Sequence, residues 1–339
     1  EAADLRRRHA EFMLRLAESA NLTSEAGGVQ QHGLVIPEQD NMRAALEWAM
    51  TSDQIEFGLD LMIALESFWV TSHPSEGARW FAQLLERADD IDPRLMARAL
   101  RDWGGCAQIA GDIDRAEELY NESLERFRAL GDEKYVGELL HRIATTSISR
   151  GETTGVHPLL AESLEIALRV GNRWGQCQVF GSLAHMTRYE GDLHRARELF
   201  SRSAELAIEI GNVWWETNML ANVTEIDLAT GRVDDAEHNA KRTLALARSI
   251  SDVTIVAWSL VYLARVAAAR SDLERAGLIW GVVQAEEARG RIKTVTDPDW
   301  ASLVAPLLEI ENAAFERGRA EGQKLSLTEG VERIQASDA

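Results

Sequence analysis

The chain is poor in cysteine, in long apolar runs and in positive charge. Only Cys106 and Cys177 occur among 339 residues, and they fall at unrelated positions, which favours a reducing, cytoplasmic setting. No apolar run approaches the roughly 18 residues that a membrane span needs. Lys and Arg total 36 against 55 Asp and Glu, a net charge of −19. Such a chain repels phosphate backbones and anionic lipids, so we expect neither direct nucleic-acid binding nor membrane binding.

Sequence signatures of common catalytic and cofactor sites are also missing. There is no Gly-x-x-x-x-Gly-Lys-Ser/Thr loop, no Gly-x-Gly-x-x-Gly after a strand, no His-Glu-x-x-His helix, no Cys-x-x-Cys pair and no Gly-x-Ser-x-Gly elbow. The sequence therefore predicts no enzyme activity, no cofactor and no metal in this chain. Since it begins Glu-Ala-Ala-Asp rather than with Met, we expect a fragment of a larger polypeptide.

Two series of short turn signals recur at a fixed interval of 40 residues. One series starts at Gly111-Asp112 and ends at Ser271-Asp272; the other starts at Gly131-Asp132 and ends at Ser251-Asp252, 20 residues out of phase. A strict period of this size is typical of a helical solenoid. We therefore predict an all-α, right-handed α-solenoid of helical hairpins about 40 residues long, with helical caps at both ends.

One repeat shows how each hairpin is encoded. Apolar residues between Leu95 and Ala110 recur every three or four positions, which predicts an amphipathic helix. Gly111 can adopt the left-handed conformation that ends this helix, and Asp112 can cap the next one, predicted from Ile113 to Leu130. Alignment by the period predicts a row of small side chains where paired helices cross: Ala116, Val156, Ala196, Ala236 and Ala276. It also predicts two rows of apolar core residues, one in the second helices and one in the first helices: Leu124, Leu164, Ala204 and Leu244; Trp103, Ile143, Leu183, Val223 and Leu263.

The period defines four segments. Residues 1–52 form an N-terminal helical segment that links to a preceding domain, and it contains a loop with Gly27, Gly28 and Gly33. Residues 53–92 form a degenerate hairpin whose arms, 54–71 and 75–88, are separated at His73-Pro74. Residues 93–290 hold five repeats. Residues 291–339 form a cap, with a loop at 291–296, a helix restarting at Asp297-Pro298, a kink or break at Pro306, and a capping box made by Ser326 and Glu329.

The pattern Gly104, Gly111-Asp112, Ala116, Tyr120 and Ser123 resembles the tetratricopeptide repeat (TPR), lengthened from 34 to 40 residues. Two further stretches, EQDNMRAALEWA at 38–49 and RAEGQKLSLTEGV at 319–331, are similar to segments of large bacterial regulators in which repeats follow an ATPase of the NB-ARC or AAA type. In that family a LuxR-type helix-turn-helix, a cyclase or a kinase shares the chain.

The resemblance implies a non-catalytic region that binds a protein, a peptide or a small effector in a concave groove and controls the adjacent nucleotide-binding domain of the same chain. Two alternatives remain open: an architectural module that drives homo-oligomer formation, and a small-molecule pocket between the N-terminal helices and the first repeats. Oligomer size and ligand binding, measured on groove variants, distinguish them.

In the TPR family the first helix of each repeat lines the groove, which implies a set of candidate binding residues. Arginine and histidine gathered there could bind a carboxylate or phosphate through charge-assisted bonds. The alternative is a solvated groove whose Glu residues neutralise these cations. The candidates are Arg98, Arg101, Gln108, Glu138, His141, Thr145, Ser149, Gln178, His185, Arg188, Tyr189, Asn218, Glu225, Trp258 and Arg265.

Overall fold

The computed structural model describes residues 2–22, 33–152, 154–292 and 298–336. Within those ranges the chain is all-α, without a strand, which confirms the predicted fold class. A 3₁₀ turn, Ile36–Glu38, directly precedes the second helix. The helices are α1 Ala2–Ala20, α2 Gln39–Thr51, α3 Ile55–Ala64, α4 Glu66–Ser72, α5 Pro74–Glu86, α6 Pro93–Ile109, α7 Ile113–Leu130, α8 Glu133–Ser149, α9 Val156–Arg169, α10 Arg173–Tyr189, α11 Leu193–Ile210, α12 Val213–Ala229, α13 Val233–Ser249, α14 Val253–Ala269, α15 Leu273–Ala288, α16 Pro298–Leu308, α17 Ala313–Gly322 and α18 Leu327–Ala336.

The 40-residue period of the turns is also the period of the helices. The helices α6, α8, α10, α12 and α14 begin at Pro93, Glu133, Arg173, Val213 and Val253, and the second helices α7, α11, α13 and α15 keep the same interval. Three residues join α6 to α7, α10 to α11, α12 to α13 and α14 to α15, and such short connections make the two helices antiparallel neighbours; six residues, 150–155, join α8 to α9.

The turns work as the sequence predicts. Gly111 has a φ of +89°, a left-handed conformation that glycine adopts without steric cost, and the Asp112 side chain accepts a hydrogen bond from the Arg115 amide at 3.3 Å. Asp132, Asp252 and Asp272 cap α8, α14 and α15 in the same way. Arg232 occupies the equivalent place before α13 and makes no side-chain cap.

Small side chains allow the two helices of a hairpin to lie close together. Ala116 and its equivalents at one-period intervals are fully buried. A Cβ atom added to Gly104 in α6 would lie 2.6 Å from the Tyr120 ring of α7, so glycine is required for that contact. The predicted core rows are buried in most repeats, with Leu164, Leu183 and Trp103 half-buried.

The chain divides into two compact units: residues 1–183 with 209–212, and residues 184–208 with 213–339. In the first unit, one core lies among α1 to α6 around Phe68, Trp69 and Phe81, and a second lies among α6 to α9 around Tyr120 and Phe127. In the second unit, one core extends from α12 to α18.

The flanking segments differ in detail from the prediction. The first arm of the degenerate hairpin is interrupted at Leu65, where φ and ψ of −104° and 19° separate α3 from α4. Pro306 lies inside α16, which continues to Leu308. The reciprocal capping box is confirmed, since the Ser326 amide donates to Glu329 Oε2 at 2.8 Å and the Glu329 amide donates to Ser326 Oγ at 3.3 Å. The predicted loop residues Gly27 and Gly28, residues 293–296 of the predicted loop 291–296, and Asp297 at the predicted helix restart lie outside the described residues.

In the second unit, α15 and α17 pack backbone against backbone. Gly277 and Gly281 on α15 face Gly318 and Gly322 on α17, and a Cβ atom added at any of the four would lie 1.9–2.3 Å from a backbone oxygen of the other helix. This contact ties the C-terminal cap to the last repeat. No described helix is long and apolar enough to cross a membrane.

Candidate functional site

All of the candidate groove residues lie on the first helices of repeats. In the first unit they are on α6, α8 and the start of α10; in the second unit they are on the end of α10, on α12 and on α14. Arg101 and His141 are buried, Tyr189 is 86% exposed, Ser149 is exposed and the others are half-buried. One position of the first helix is half-buried in all five repeats, and we call this row of residues the register: Arg98, Glu138, Gln178, Asn218 and Trp258. The first helices therefore present a continuous register of partly accessible side chains within each unit.

Four of the candidates meet in one cavity of the first unit. This cavity, which we call the Arg101 cavity, has a volume of about 150 Å³. It lies between α3, α4, α6, α8 and the start of α10. Four cationic side chains, two carboxylates, two aromatic rings and three other side chains line it: Arg98, Arg101, Lys134 and Arg142; Glu66 and Glu138; Tyr135 and Trp174; Ile63, Asn172 and Gln178.

Arg101 is the centre of a buried ion network beside this cavity. Its side chain is 7% exposed; Nε lies 2.6 Å from Asp102 Oδ1, and its two terminal nitrogens each lie 3.4 Å from a carboxylate oxygen, of Glu66 and of Glu138. The guanidinium also lies over the Tyr135 ring, 5.0 Å from its centroid. The carboxylates of Glu66, Asp102 and Glu138 therefore neutralise the Arg101 guanidinium.

Arg142 is the second cation of the network. Its Nη2 lies 3.0 Å from Glu66 Oε1, and its Nε donates to Glu138 Oε1 at 2.9 Å. Burial alone would raise the pKa of Glu138, but Arg101 and Arg142 outweigh it and lower that pKa to about 2. Burial raises the pKa of Asp102 to about 6 against the pull of Arg101. The network is thus strongly charged and largely removed from water.

The other first-unit candidates make local bonds. Tyr120 donates its hydroxyl proton to Gln108 at 3.0 Å, and the Thr145 hydroxyl donates to the Arg142 carbonyl at 2.9 Å. His141 Nε2 lies 2.9 Å from Ser182 Oγ on α10, and its buried Nδ1 has no hydrogen-bond partner. Burial and the nearby Arg142 lower the pKa of His141 to about 4, so the ring is neutral at pH 7.

In the second unit, side chains of neighbouring first helices also bond to each other, with fewer charged groups. Arg265 on α14 pairs with Glu225 on α12, with 2.8 Å between Nη1 and Oε2, and Arg188 Nη1 donates to Asn222 Oδ1 at 3.3 Å. Burial and Arg188 lower the pKa of His185 to about 4. Side chains of successive first helices therefore bond to each other in the second unit too.

Sequence reasoning missed several cavity residues. Arg142 follows His141 directly, and the register one residue later, which includes Arg142, Asn222 and Tyr262, would have indicated it. Tyr135 and Lys134 open α8 and carry no periodic signal. Glu66 lies in α4, outside the repeats, so only the folded chain brings it to Arg101. Among the described residues, no cluster of His, Cys, Asp and Glu is arranged to hold a metal ion.

Comparison with known proteins gives relatives for part of the chain. No family model matches it. Over 189 residues it is 26% identical to a protein named "Putative HTH-type transcriptional regulator" in Mycobacterium bovis and in two strains of Mycobacterium tuberculosis, an alignment that covers 52% of this chain. The chain spans about a fifth of the length of these relatives, since the alignment covers 21% of them.

Two solved structures share the fold. A signal transduction ATPase with numerous domains (STAND) from Pyrococcus horikoshii, described as carrying a tetratricopeptide repeat sensor, matches 84% of this chain and 44% of its own with a TM-score of 0.62 at 16% identity. A Rap protein crystallised with competence and sporulation factor matches 98% of this chain and 99% of its own with a TM-score of 0.55 at 12% identity. At these identities the similarity shows a TPR-like helical repeat fold.

Proposed function

We propose that this chain is the non-catalytic sensor region of a cytoplasmic multidomain regulator of transcription or signalling. It binds a protein, a peptide or a small effector on the face formed by its first helices and controls an adjacent nucleotide-binding domain. It uses no cofactor of its own. The resemblance of its repeats and end segments to bacterial ATPase regulators supports this role, as do the HTH-type name of its partial relatives and the sensor described for the STAND protein.

The Arg101 cavity is the observation on which the proposal rests. It gathers side chains from three successive first helices and from α3 and α4, and it places cationic groups beside the aromatic rings of Tyr135 and Trp174 in a protein with a net charge of −19. A volume of about 150 Å³ suits one side chain or one small group, because cavities that enclose whole drug-sized ligands measure about 300–1,000 Å³. The ligand therefore inserts one anchoring group into the Arg101 cavity, and the rest of the ligand contacts the half-buried side chains of the register.

Peptide selection tests this proposal. A random peptide library is selected against the immobilised chain, and the affinities of the selected peptides are measured for Lys134→Ala and Trp174→Ala variants. Each substitution removes part of the cavity wall, so we expect affinity to fall about tenfold, the usual weight of an interface anchor.

Matched controls are Lys324→Ala, an exposed lysine on the cap, and Trp214→Ala, one period after Trp174 and 38% exposed. Peptides that bind all four variants equally would exclude the Arg101 cavity as the site. Light scattering on the same variants tests the architectural alternative, which predicts a change of oligomer size instead.

A further inference from the structure

The charges around the Arg101 cavity are balanced. Its four lining cations face four carboxylates, two that line the cavity and two that lie beside its arginines: Glu66 and Glu138; Asp60 and Asp102. Burial raises the pKa of Asp60 and nearby Arg98 opposes this rise, so Arg98 has an acidic neighbour on α3. Burial would raise the pKa of Glu138, but the two network arginines and Lys134 lower it to about 2. Each cation therefore already has a carboxylate neighbour.

A charged ligand group would be unfavourable in such a cavity. The side chains of Arg101, Glu66 and Glu138 are 7%, 11% and 18% exposed, so a group that joins them loses most of its own water. A new charge there would stay unpaired or would break one of the existing buried pairs, and either outcome costs free energy. The cavity therefore favours an uncharged anchoring group.

The uncharged polar groups of the cavity retain hydrogen-bonding capacity. The Gln178 side chain on α10 makes no hydrogen bond to another described residue, so it offers both an acceptor and a donor. Asn172 Oδ1 accepts a hydrogen bond from the Gly175 amide at 3.0 Å, which leaves its Nδ2 as a donor. Arg98 Nε is buried and has no hydrogen-bond partner among the described residues. Since a buried polar group without a partner is costly, a ligand that both donates and accepts fits this cavity.

We propose that the anchoring group of the ligand is a neutral carboxamide, the side chain of a glutamine or an asparagine in a peptide, and that it pairs with the Gln178 side chain. This inference rests on the proposed function, because it concerns the same cavity. A carboxamide both donates and accepts, so it forms two reciprocal hydrogen bonds with Gln178. A carboxylate only accepts, an ammonium group only donates, and a methyl group does neither. The carbonyl oxygen has a second lone pair for Arg98 Nε, and the apolar stem contacts Trp174 and Ile63.

The test uses the unaltered chain and a series of blocked amino acids. The probes are the N-acetyl, N-methylamide derivatives of glutamine, asparagine, glutamate, lysine, leucine and glycine, titrated at neutral pH with detection by ligand NMR. They share one backbone, so differences in affinity report the side chain. The glutamine or the asparagine probe should bind about tenfold more tightly than the other four, the effect of one or two net hydrogen bonds, and the tighter of the two identifies the side chain. Any of the other four that binds as tightly would overturn the proposal.

The variant Gln178→Leu tests the pairing itself. Leucine is similar in size and removes both hydrogen-bonding groups, so the variant should lose about tenfold of its affinity for the tighter amide probe. Its affinity for the leucine probe should not fall. The matched control is Gln83→Leu, at an exposed glutamine of α5, which should leave both affinities unchanged. Undiminished binding of the amide probe to Gln178→Leu, or an equal loss in Gln83→Leu, would refute the pairing with Gln178.

The probe series needs no variant, so it stands even if Gln178→Leu fails to fold. Failure of this inference also differs from failure of the proposed function. Selected peptides that depend on Lys134 and Trp174 but contain neither glutamine nor asparagine would refute the carboxamide and leave the binding site in place. Selected peptides that bind both substituted chains as well as the original would refute the binding site itself.

Discussion

Gly318→Ala tests the contact between α15 and α17. The new Cβ atom would lie 1.9 Å from the carbonyl oxygen of Glu274 and 2.8 Å from the amide nitrogen of Leu278, whereas ordinary van der Waals contacts of a Cβ lie at 3.4–4 Å. The obstructing atoms are backbone, so no rotamer change can relieve the clash. The two helices must separate by about 1.5 Å, and their packing is lost along the contact.

The magnitude follows from two opposing effects. Overpacking costs about 1–3 kcal/mol, and the upper end applies because backbone must move. Alanine in place of glycine inside a helix returns about 1 kcal/mol of helix propensity. We therefore expect Gly318→Ala to lower the free energy of unfolding by about 2 kcal/mol, although the same change stabilises an unobstructed helix.

Urea denaturation followed by circular dichroism measures this loss, and hydrogen exchange should show that it is concentrated in α15 and α17. Repeat proteins can unfold in steps, so the local measurement is needed beside the global one. The control is Ala320→Gly, an exposed position of the same helix, which should cost about 1 kcal/mol through propensity alone. A Gly318→Ala chain that is as stable as the original, or more stable, would refute the close helix contact.

Three further predictions concern charge and capping. Burial lowers the pKa of His141 from 6.5 to about 4, so protonation opposes the fold and about 3 kcal/mol of stability is lost at this residue as the pH falls from 6.5 toward 4; His141→Gln should remove that part of the pH dependence of urea stability and leave the part due to His185. Arg101→Met removes the cation shared by Glu66, Asp102 and Glu138 and leaves the fully buried Asp102 without its ion pair, so it should cost about 3–5 kcal/mol in urea denaturation, against less than about 1 kcal/mol for Arg126→Ala in the exposed pair with Glu122. Asp272→Ala removes the cap of α15 and should cost about 1 kcal/mol in the same assay, whereas Asp272→Asn should retain most of it.

The repeats could be predicted from the sequence because their turns and caps depend on residues that are close together in the chain. Gly111 and Asp112 end one helix and cap the next through interactions within a few residues, so their recurrence predicts the helices and their period. Ser326 and Glu329 form their capping box for the same reason. The buried row of small residues at Ala116 was predictable because repetition shows the same packing requirement several times.

The structure alone decided which distant groups meet. The sequence indicated Arg98, Arg101, Glu138 and Gln178 as candidates on separate first helices, and the fold brings these four into one cavity. Glu66 could not be placed there, because it lies outside the repeats and 76 residues from Arg142, so no period relates them. Which groove residues bind a ligand stays a prediction.

The glycines of α15 and α17 show the same division. From the sequence alone, Gly277 and Gly318 are expected only to destabilise two separate helices, because glycine has a low helix propensity. Their role is the direct approach of two backbones, which exists only once the cap folds against the last repeat. Turns, caps and the repeat period depend on neighbouring residues, so the sequence determines them. The partner of a buried charge, and the helix that a glycine backbone packs against, are decided by packing between distant segments.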